Sequence, residues 1–324
     1  MSRTDTRRTA VKTQTTGTVY HYCSVESFYS ILHNKMLRLS DIGKSNDYME
    51  RRWLQLFILE TAMEEYEKEP FPIAFEKDGT AYSGRGAVEE LIRYELKTMG
   101  QHWYDDYITY AICFSEKGDV LSQWRGYADD GQGVCIGFRA DRISGMLKKN
   151  RETGRVDRMF EFARIRYTKA AQKALIRPYI RRLFRYLHTL TGQDGEPSGE
   201  LIRLLRAVNG ESAFCKNPAF SEEREWRLAV NFPIPTTDAY QKFMERQGHV
   251  SQNELFSKLK TVVVGKTIKS YVELNLKTLG LDAVTSVRLG PKCRLTKNDV
   301  KLFLFSEGVA LEGENILASS ATYR

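Results

Sequence analysis

An acidic cluster directly before a predicted strand holds the residues best able to do chemistry. Glu222, Glu223 and Glu225 precede a segment in which apolar residues alternate with polar or small ones. This alternation predicts a half-buried strand, so the carboxylates should lie at the edge of a sheet. Glu223 and Glu225 are two residues apart and point to one face of the strand, where they could stabilise positive charge in a transition state. The alternating apolar residues are Trp226, Leu228, Val230 and Phe232.

Two other segments are expected to bring side chains to the same sheet. Residues 18–23 form a predicted strand with His21 near its end, and Ser24 caps the helix that follows. The nearly continuous apolar run over 108–115 is typical of a buried central strand. A short helix over 120–128 is predicted after it, and it carries Trp124, Arg125 and Tyr127.

Strands interleaved with helices predict an α+β fold with a mixed, mostly antiparallel central sheet. Residues 1–17 lack apolar periodicity, so we expect a disordered basic tail there. Residues 18–312 are predicted to form one domain, and residues 313–324 a polar tail. Within the domain we expect a helical insertion at about 46–107 and a basic helical segment at about 168–209.

The last part of the domain is predicted to alternate between strands and a helix. Residues 261–265 and 283–288 are expected as strands because both are short and rich in β-branched residues. A helix is predicted over 269–279, and a further strand over 300–305.

Composition indicates a globular, cytoplasmic protein. The 324 residues are 42% hydrophobic and 28% charged, which is enough for a substantial core. There is no apolar run of 18 residues and no secretory signal, so we expect no membrane partner. The five cysteines include no CxxC pair and are odd in number, which indicates reduced thiols. Cys113 and Cys135 lie in apolar runs and are interpreted as core residues.

The net charge of +8 would suit an anionic partner. Much of this charge falls between residues 160 and 206, where either nucleic-acid contact or a solvated basic helix face could explain it. The basic residues there are Arg164, Arg166, Lys169, Lys173, Arg177, Arg181, Arg182, Arg185, Arg203 and Arg206.

Several short motifs occur in an order that resembles a bacterial family of unknown function, DUF2971. The resemblance extends over roughly residues 20–290. No proline follows Asp47, so the sequence departs from the family there. The motifs are Tyr20-His21-Tyr22 with the Ile31-Leu32 helix, residues 45–50, Cys113-Phe114-Ser115-Glu116, residues 124–128 with Gly131, residues 133–138, and Phe220 with residues 223–227.

More remotely, the chain resembles an ADP-ribosyltransferase. That fold opens with a strand bearing His or Arg, continues with a similar helix, and places a catalytic Glu at the start of a late strand. The resemblance implies a sheet of ADP-ribosyltransferase-like type, with His21 and Glu225 in those two positions. It also implies NAD as the substrate and an unidentified macromolecular acceptor, either protein or nucleic acid. A role in bacterial defence or as a toxin is the expected context.

The predicted roles follow from the chemistry of the nicotinamide–ribose bond. Its cleavage passes through an oxocarbenium-like state that a carboxylate stabilises, and Glu225 is predicted to do so with Glu223 beside it. His21 would donate a hydrogen bond to a ribose hydroxyl. For the rest of the cofactor, Trp124 or Tyr127 could stack on nicotinamide, and Arg125 could contact the pyrophosphate. Tyr22 and Arg227 are further candidates for binding the cofactor.

Each assignment has an alternative that the sequence leaves open. The acidic cluster could be a solvated turn, His21 a satisfied histidine at a strand end, and Trp124 and Tyr127 core residues. Arg125 and Arg227 could form ion pairs with the acidic cluster.

Two other classes of function also remain open. In a metal-dependent nuclease, Asp119, Asp129, Asp130, Glu223 and Glu225 would gather Mg²⁺ beside nucleic acid held by the basic segment. A non-enzymatic binding module is the third class. The favoured reading is an NAD-dependent ADP-ribosyltransferase or NAD-cleaving effector, for which no metal is expected.

Overall fold

The computed structural model describes residues 17–44, 49, 53–152, 160–190, 208, 210–233 and 255–323. The described strands are β1 (Thr18–Cys23), β2 (Met36–Asp41), β3 (Ala74–Lys77), β4 (Thr80–Ser83), β5 (Tyr107–Ser115), β6 (Val134–Arg139), β7 (Phe160–Arg164), β8 (Glu225–Pro233), β9 (Lys260–Val264), β10 (Thr267–Asn275), β11 (Val284–Leu289) and β12 (Ile316–Ala318). The described α-helices are α1 (Val25–Asn34), α2 (Ile58–Lys68), α3 (Gly84–Asp106), α4 (Leu121–Tyr127), α5 (Ala140–Glu152), α6 (Lys169–Leu190) and α7 (Lys297–Ser306).

Ten of these strands form one sheet that branches at β5. The main order is β12-β11-β6-β1-β5-β2-β10-β9, while β8 pairs with β5 and β7 pairs with β8. Along β5, β8 pairs over its whole length, whereas β1 pairs at Ser115 and β2 pairs at Tyr110 and Ala111. Among the described strands, only β11 and β12 pair in parallel. The predicted α+β fold with a mostly antiparallel sheet is therefore confirmed.

The main core lies where β5, β1 and β6 pack against helices. Tyr110, Ile112 and Phe114 alternate along β5 and are buried on one face, as the apolar run over 108–115 predicts. Helix α1 covers this face because Phe28, Ile31 and Leu32 recur at helical spacing. The Ser24 side chain accepts from the Ser27 N–H at 3.2 Å, as the predicted cap requires.

A second core belongs to the helical insertion. Residues of α2, α3 and α6 pack together, with Ile58, Ile92 and Ile180 at the centre of the cluster. The insertion predicted at 46–107 therefore contains α2 and α3, together with the β3–β4 hairpin. Residues 45–48, which belong to one of the motifs of the family resemblance, lie outside the described residues, as do residues 1–16 and 191–207.

Glycines between α4 and β6 allow close packing of the backbone. Gly131 has φ +87°, and a Cβ on Gly133 would lie 2.1 Å from the Cys23 carbonyl oxygen. Only glycine fits at such an approach, which explains the turn before β6 without a phosphate-binding loop.

Three predictions for the C-terminal part are wrong. Residues 269–279 were expected as a helix, but β10 occupies most of this range and pairs with β2 and β9. Residues 300–305 were expected as a strand, but they lie in α7, where Thr296 and Asp299 form a capping box. The expected tail from residue 313 instead contributes β12 to the sheet.

Candidate functional site

A cleft open to solvent lies where β1, β5 and the start of β8 meet. Its walls come from four segments: β1, β5, α4 and the entry to β8. The lining residues are Tyr20, His21, Tyr22, Cys113, Phe114, Ser115, Gln123, Tyr127, Glu223 and Glu225. Among the predicted site residues, His21, Tyr22, Tyr127, Glu223 and Glu225 thus come together.

A short 3₁₀ helix, Pro218–Glu223, delivers the two carboxylates to the cleft. It ends at Arg224, whose φ of 45° and ψ of 51° turn the chain into β8. The turn is tied to β5, since the Ser115 hydroxyl donates to the Glu223 carbonyl at 2.8 Å and the Glu116 N–H donates to the Arg224 carbonyl at 3.1 Å. Glu223 is 8% exposed and Glu225 4%. The alternative of a solvated turn is therefore wrong for these two residues.

Two buried cations hold the carboxylates. The Arg227 guanidinium binds both oxygens of Glu225, at 2.5 Å from Nε and 3.0 Å from Nη2. Lys216 Nζ donates to Glu223 Oε2 at 2.6 Å and to Glu225 Oε2 at 3.3 Å. The Tyr127 hydroxyl donates to the other oxygen of Glu223 at 3.0 Å. The cleft therefore contains two carboxylates balanced by two cations.

This arrangement shifts the two carboxyl pKa values in opposite directions. Burial alone would raise the pKa of Glu225, but Arg227 and Lys216 outweigh it and lower the pKa to about 2. Burial raises the pKa of Glu223 above its ordinary value, and the Glu225 charge adds to the rise although Lys216 opposes it. Such a pair divides the roles, because one group stays ionised while the other exchanges a proton nearer neutral pH.

Lys216 itself was missed at the level of sequence, since it lies nine residues before Glu225 without a local motif. Its backbone is fixed by Gln172 of α6, whose Nε2 donates to the carbonyls of Lys216 at 2.9 Å and Arg166 at 2.8 Å. The Trp53 indole N–H donates to Gln172 Oε1 at 3.1 Å. Gln172 of α6 thus fixes the backbone that carries this cation.

His21 enters the cleft from the end of β1. Its Nδ1 donates to the Cys113 carbonyl at 2.9 Å, and burial lowers its pKa. The imidazole is therefore neutral near pH 7 with its hydrogen on Nδ1, and Nε2 is a hydrogen-bond acceptor. This differs from the donor role expected for a ribose hydroxyl, because Nε2 would accept the hydroxyl hydrogen.

The structure separates the predicted aromatic residues: Tyr22 and Tyr127 line the cleft, whereas Trp124 is buried. Trp124 is 0% exposed, and its indole N–H donates to Asp119 at 2.8 Å. It packs edge-on against Tyr22, with ring centroids 4.8 Å apart. A buried ring has no face for nicotinamide, so Trp124 is a core residue that supports Tyr22. Tyr127 is 42% exposed and is the aromatic residue able to stack on a ligand.

Neither of the two arginines predicted to bind the cofactor lines the cleft. Arg227 is 1% exposed and donates to Glu225 and to the Ala213 carbonyl, so the ion-pair alternative describes it. Arg125 is exposed on α4, with its guanidinium 5.6 Å from the Tyr323 ring centroid, and is not among the cleft residues.

Cys113 is not a core residue, contrary to the expectation from its apolar run. It lies on the exposed side of β5 and lines the cleft. Its thiol donates to Glu225, which helps to lower the pKa of that carboxyl. The strand alternation that buries Ile112 and Phe114 places Cys113 on the opposite face. Cys135 is buried, as expected.

The residues named for a metal-dependent nuclease do not assemble. Asp119 accepts hydrogen bonds from Ser319 and Ser320, while Asp130 binds Lys292. Within the described ranges, no three His, Cys, Asp or Glu side chains are grouped so that they could hold a metal ion.

The basic residues at the start of α6 are engaged with an acidic face of α2. Lys173 binds Glu60 at 2.7 Å and Glu64 at 2.5 Å, and Arg181 binds Glu65 at 2.5 Å. The Lys173 side chain is enclosed by this contact, whereas the Arg181 side chain is 62% exposed. No described helix is both long and apolar enough to span a bilayer.

The family resemblance is confirmed over the central part of the chain. The family model described as "Protein of unknown function (DUF2971)" matches residues 123–228. This stretch contains Tyr127, Lys216, Glu223 and Glu225, and so includes most of the charged side of the cleft. Neither the curated proteins nor the solved structures provide a match to the chain.

Proposed function

We propose that this protein cleaves the nicotinamide–ribose bond of NAD and transfers ADP-ribose to a macromolecule or to water. The observation that supports this is the meeting of His21 from β1 with Glu223 and Glu225 from the start of β8 in one cleft across β5. An ADP-ribosyltransferase-like site needs this convergence, since a polar residue must hold the ribose while a carboxylate lies near its C1′ atom.

Glu225 is the proposed stabiliser of the transition state. Its pKa of about 2 keeps it ionised at any physiological pH, and Arg227 and Lys216 fix its orientation. As the bond breaks, the electron pair goes to the nicotinamide nitrogen and positive charge develops on the ribose. A fixed carboxylate lowers the energy of that state without reorganising.

The remaining cleft residues have complementary roles. His21 Nε2 accepts a hydrogen bond from a ribose hydroxyl, and the Tyr127 ring stacks on nicotinamide. Glu223 takes the proton of the attacking hydroxyl or water, because its raised pKa makes it a better base near neutral pH than an ordinary glutamate.

The test is nicotinamide release from NAD by purified protein, measured by chromatography. We expect release by the wild type and a loss of about 10²–10³-fold in Glu225→Gln. Glu273→Gln is the matched control, since Glu273 binds Lys260 on β9 and does not line the cleft. This control should keep the wild-type rate.

A cell lysate with labelled NAD supplies acceptors in the same experiment. Labelled protein or nucleic acid that depends on Glu225 would identify the acceptor, whereas release without labelling would identify a hydrolase. The proposal is wrong if the wild type releases no nicotinamide even with lysate present, or if Glu225→Gln releases it as fast as the wild type.

A further inference from the structure

Lys216 is the buried cation that connects the two carboxylates of the cleft. Its Nζ lies 2.6 Å from Glu223 and 3.3 Å from Glu225, and 4.7 Å from the centroid of the Phe220 ring. The side chain is 6% exposed. An ammonium group has three hydrogens, so the two carboxylates occupy most of its donor capacity.

The geometry distinguishes Lys216 from Arg227. Arg227 binds Glu225 in a bidentate manner and also donates to the Ala213 carbonyl, so its guanidinium is the main partner of Glu225. Glu223 has no comparable partner among the described residues, since its side chain contacts Lys216 and the Tyr127 hydroxyl. Lys216 is therefore the positive charge that acts on Glu223.

From this geometry we infer that Lys216 is a positioning residue of the cleft, which holds Glu223 where it can take the proton of the acceptor. The inference rests on the proposed function for the reaction itself. In that step the acceptor oxygen bonds to the ribose C1′ atom and the bond from C1′ to the nicotinamide nitrogen breaks. The acceptor proton moves to Glu223, and the electron pair of the broken bond leaves with nicotinamide.

The charged and titratable groups around Glu223 decide how its protonation responds. Lys216 and Glu225 act on it directly, Tyr127 faces it from α4, and the Tyr167 hydroxyl lies close to both carboxylates. Arg227 lies one step further, beside Glu225 and Lys216. Burial and the Glu225 charge favour the protonated form of Glu223, and Lys216 opposes them. Removing the Lys216 charge should therefore favour the protonated form, which cannot act as a base.

The experiment measures the protonation of Glu223, first without NAD and then through the pH dependence of the reaction. A carbon-13 NMR titration of the glutamate carboxyls, with Glu223→Gln to assign the signal, follows its protonation without NAD. In Lys216→Met the Glu223 midpoint should rise by about 1–3 pH units relative to the wild type. Lys216→Arg should keep the midpoint near the wild-type value. Lys292→Met is the control, because Lys292 binds Asp130 away from the cleft carboxylates, and it should change nothing.

The pH profile of nicotinamide release gives the second readout. The acidic limb of the profile should move to higher pH in Lys216→Met by the same amount, and Lys216→Arg should restore it. A merely structural lysine would lower the rate at all pH values without moving the limb.

Lys216→Met could fail to fold because it removes a buried cation, so a second variant keeps the charge balance. Lys216→Met combined with Glu225→Gln removes one cation and one anion together, and its Glu223 midpoint is compared with that of Glu225→Gln alone. A higher midpoint in the double variant supports the inference, and an equal or lower one overturns it.

The two proposals fail in different ways. If the wild type releases no nicotinamide but the Glu223 midpoint rises without Lys216, the NAD reaction is wrong and the electrostatic role of Lys216 stands. If nicotinamide release depends on Glu225 while the midpoint stays unchanged, the role of Lys216 is wrong and the reaction stands.

Discussion

At the scale of single residues, the cleft depends on ions that are costly to bury. Glu225 and Arg227 are almost completely enclosed, and each satisfies the other through two hydrogen bonds. A buried ion pair contributes little net stability compared with apolar residues, but removing one partner leaves an uncompensated charge. The pair is therefore suited to holding a carboxylate in a fixed position.

Arg227→Met should lower the free energy of unfolding by about 3–5 kcal/mol, because it leaves Glu225 buried without its main partner. Urea denaturation followed by circular dichroism measures this. The double variant Arg227→Met/Glu225→Gln should lose less than Arg227→Met alone.

The control for that prediction is Lys260→Met, which breaks an exposed pair with Glu273 and should cost less than about 1 kcal/mol. An Arg227→Met variant as stable as Lys260→Met would show that Glu225 is not held by Arg227.

At the scale of elements, α6 affects the cleft through Gln172, which binds the backbone of Lys216. This residue of α6 is 0% exposed, and its amide bonds to three different segments. Lys216 also donates its backbone N–H to the Arg166 carbonyl at 3.2 Å. The position of the cleft cation therefore depends on how α6 packs against the sheet.

Gln172→Leu should lower the free energy of unfolding by about 1–3 kcal/mol, because buried carbonyls and the Trp53 N–H lose their partner. It should also slow nicotinamide release, since Lys216 is no longer fixed. Thermal melting and the release assay measure the two effects.

Lys169→Gln is the matched control for this prediction, because Lys169 begins the same helix but pairs with Glu60 at the surface. It should change neither quantity by much. If Gln172→Leu releases nicotinamide at the wild-type rate, α6 does not position the site.

At the scale of the whole molecule, the C-terminal segment holds the loop before α4. Asp119 accepts from the Ser319 hydroxyl at 2.6 Å and from the Ser320 backbone N–H at 2.7 Å, and it also accepts from Trp124, which supports Tyr22. Burial alone would raise the pKa of Asp119, but these hydrogen bonds outweigh it and lower the pKa to about 2 from its ordinary 3.8.

A chain ending at Ala318 should unfold at a lower temperature, and its stability should depend less on pH under acidic conditions. Because the pKa of Asp119 is lower in the folded state, its contribution is fully present above about pH 4 and is lost as the pH falls towards 2. The truncated chain lacks most of these bonds, so its stability should fall less between pH 4 and pH 2.

Melting temperatures across that pH range, for the full chain, the truncated chain and Asp119→Asn, check this prediction. The truncated chain and Asp119→Asn should resemble each other. A truncated chain with the same acid dependence as the full chain would contradict it.

Local patterns in the sequence were sufficient for much of the fold. The strand with His21, the buried β5 and the alternating β8 all follow from periodicities within about ten residues. The same patterns failed where two periods coincide, since Val272, Leu276 and Leu279 fit a helix while Val272, Leu274 and Leu276 alternate. Pairing of β10 with β2 decided between them.

For α7, the sequence contained the signal for a helix start, but the apolar run that follows led to a strand prediction. The apolar run over 300–305 looks like a strand, yet Thr296 and Asp299 already form a capping box pattern three residues apart. The buried residues Val300 and Leu304 keep the spacing of one helix face.

By itself, the sequence determined which segments provide the candidate residues of the cleft, because the acidic entry to β8, the strand with His21 and the helix with Tyr127 are each visible as local motifs. Only the tertiary structure decided what those residues are paired with. Lys216 reaches Glu223, Arg227 encloses Glu225 and Trp124 is buried beneath Tyr22 because distant elements pack there. Periodicity reports the face on which a side chain lies, whereas its partners and its pKa depend on what the rest of the chain brings to that face.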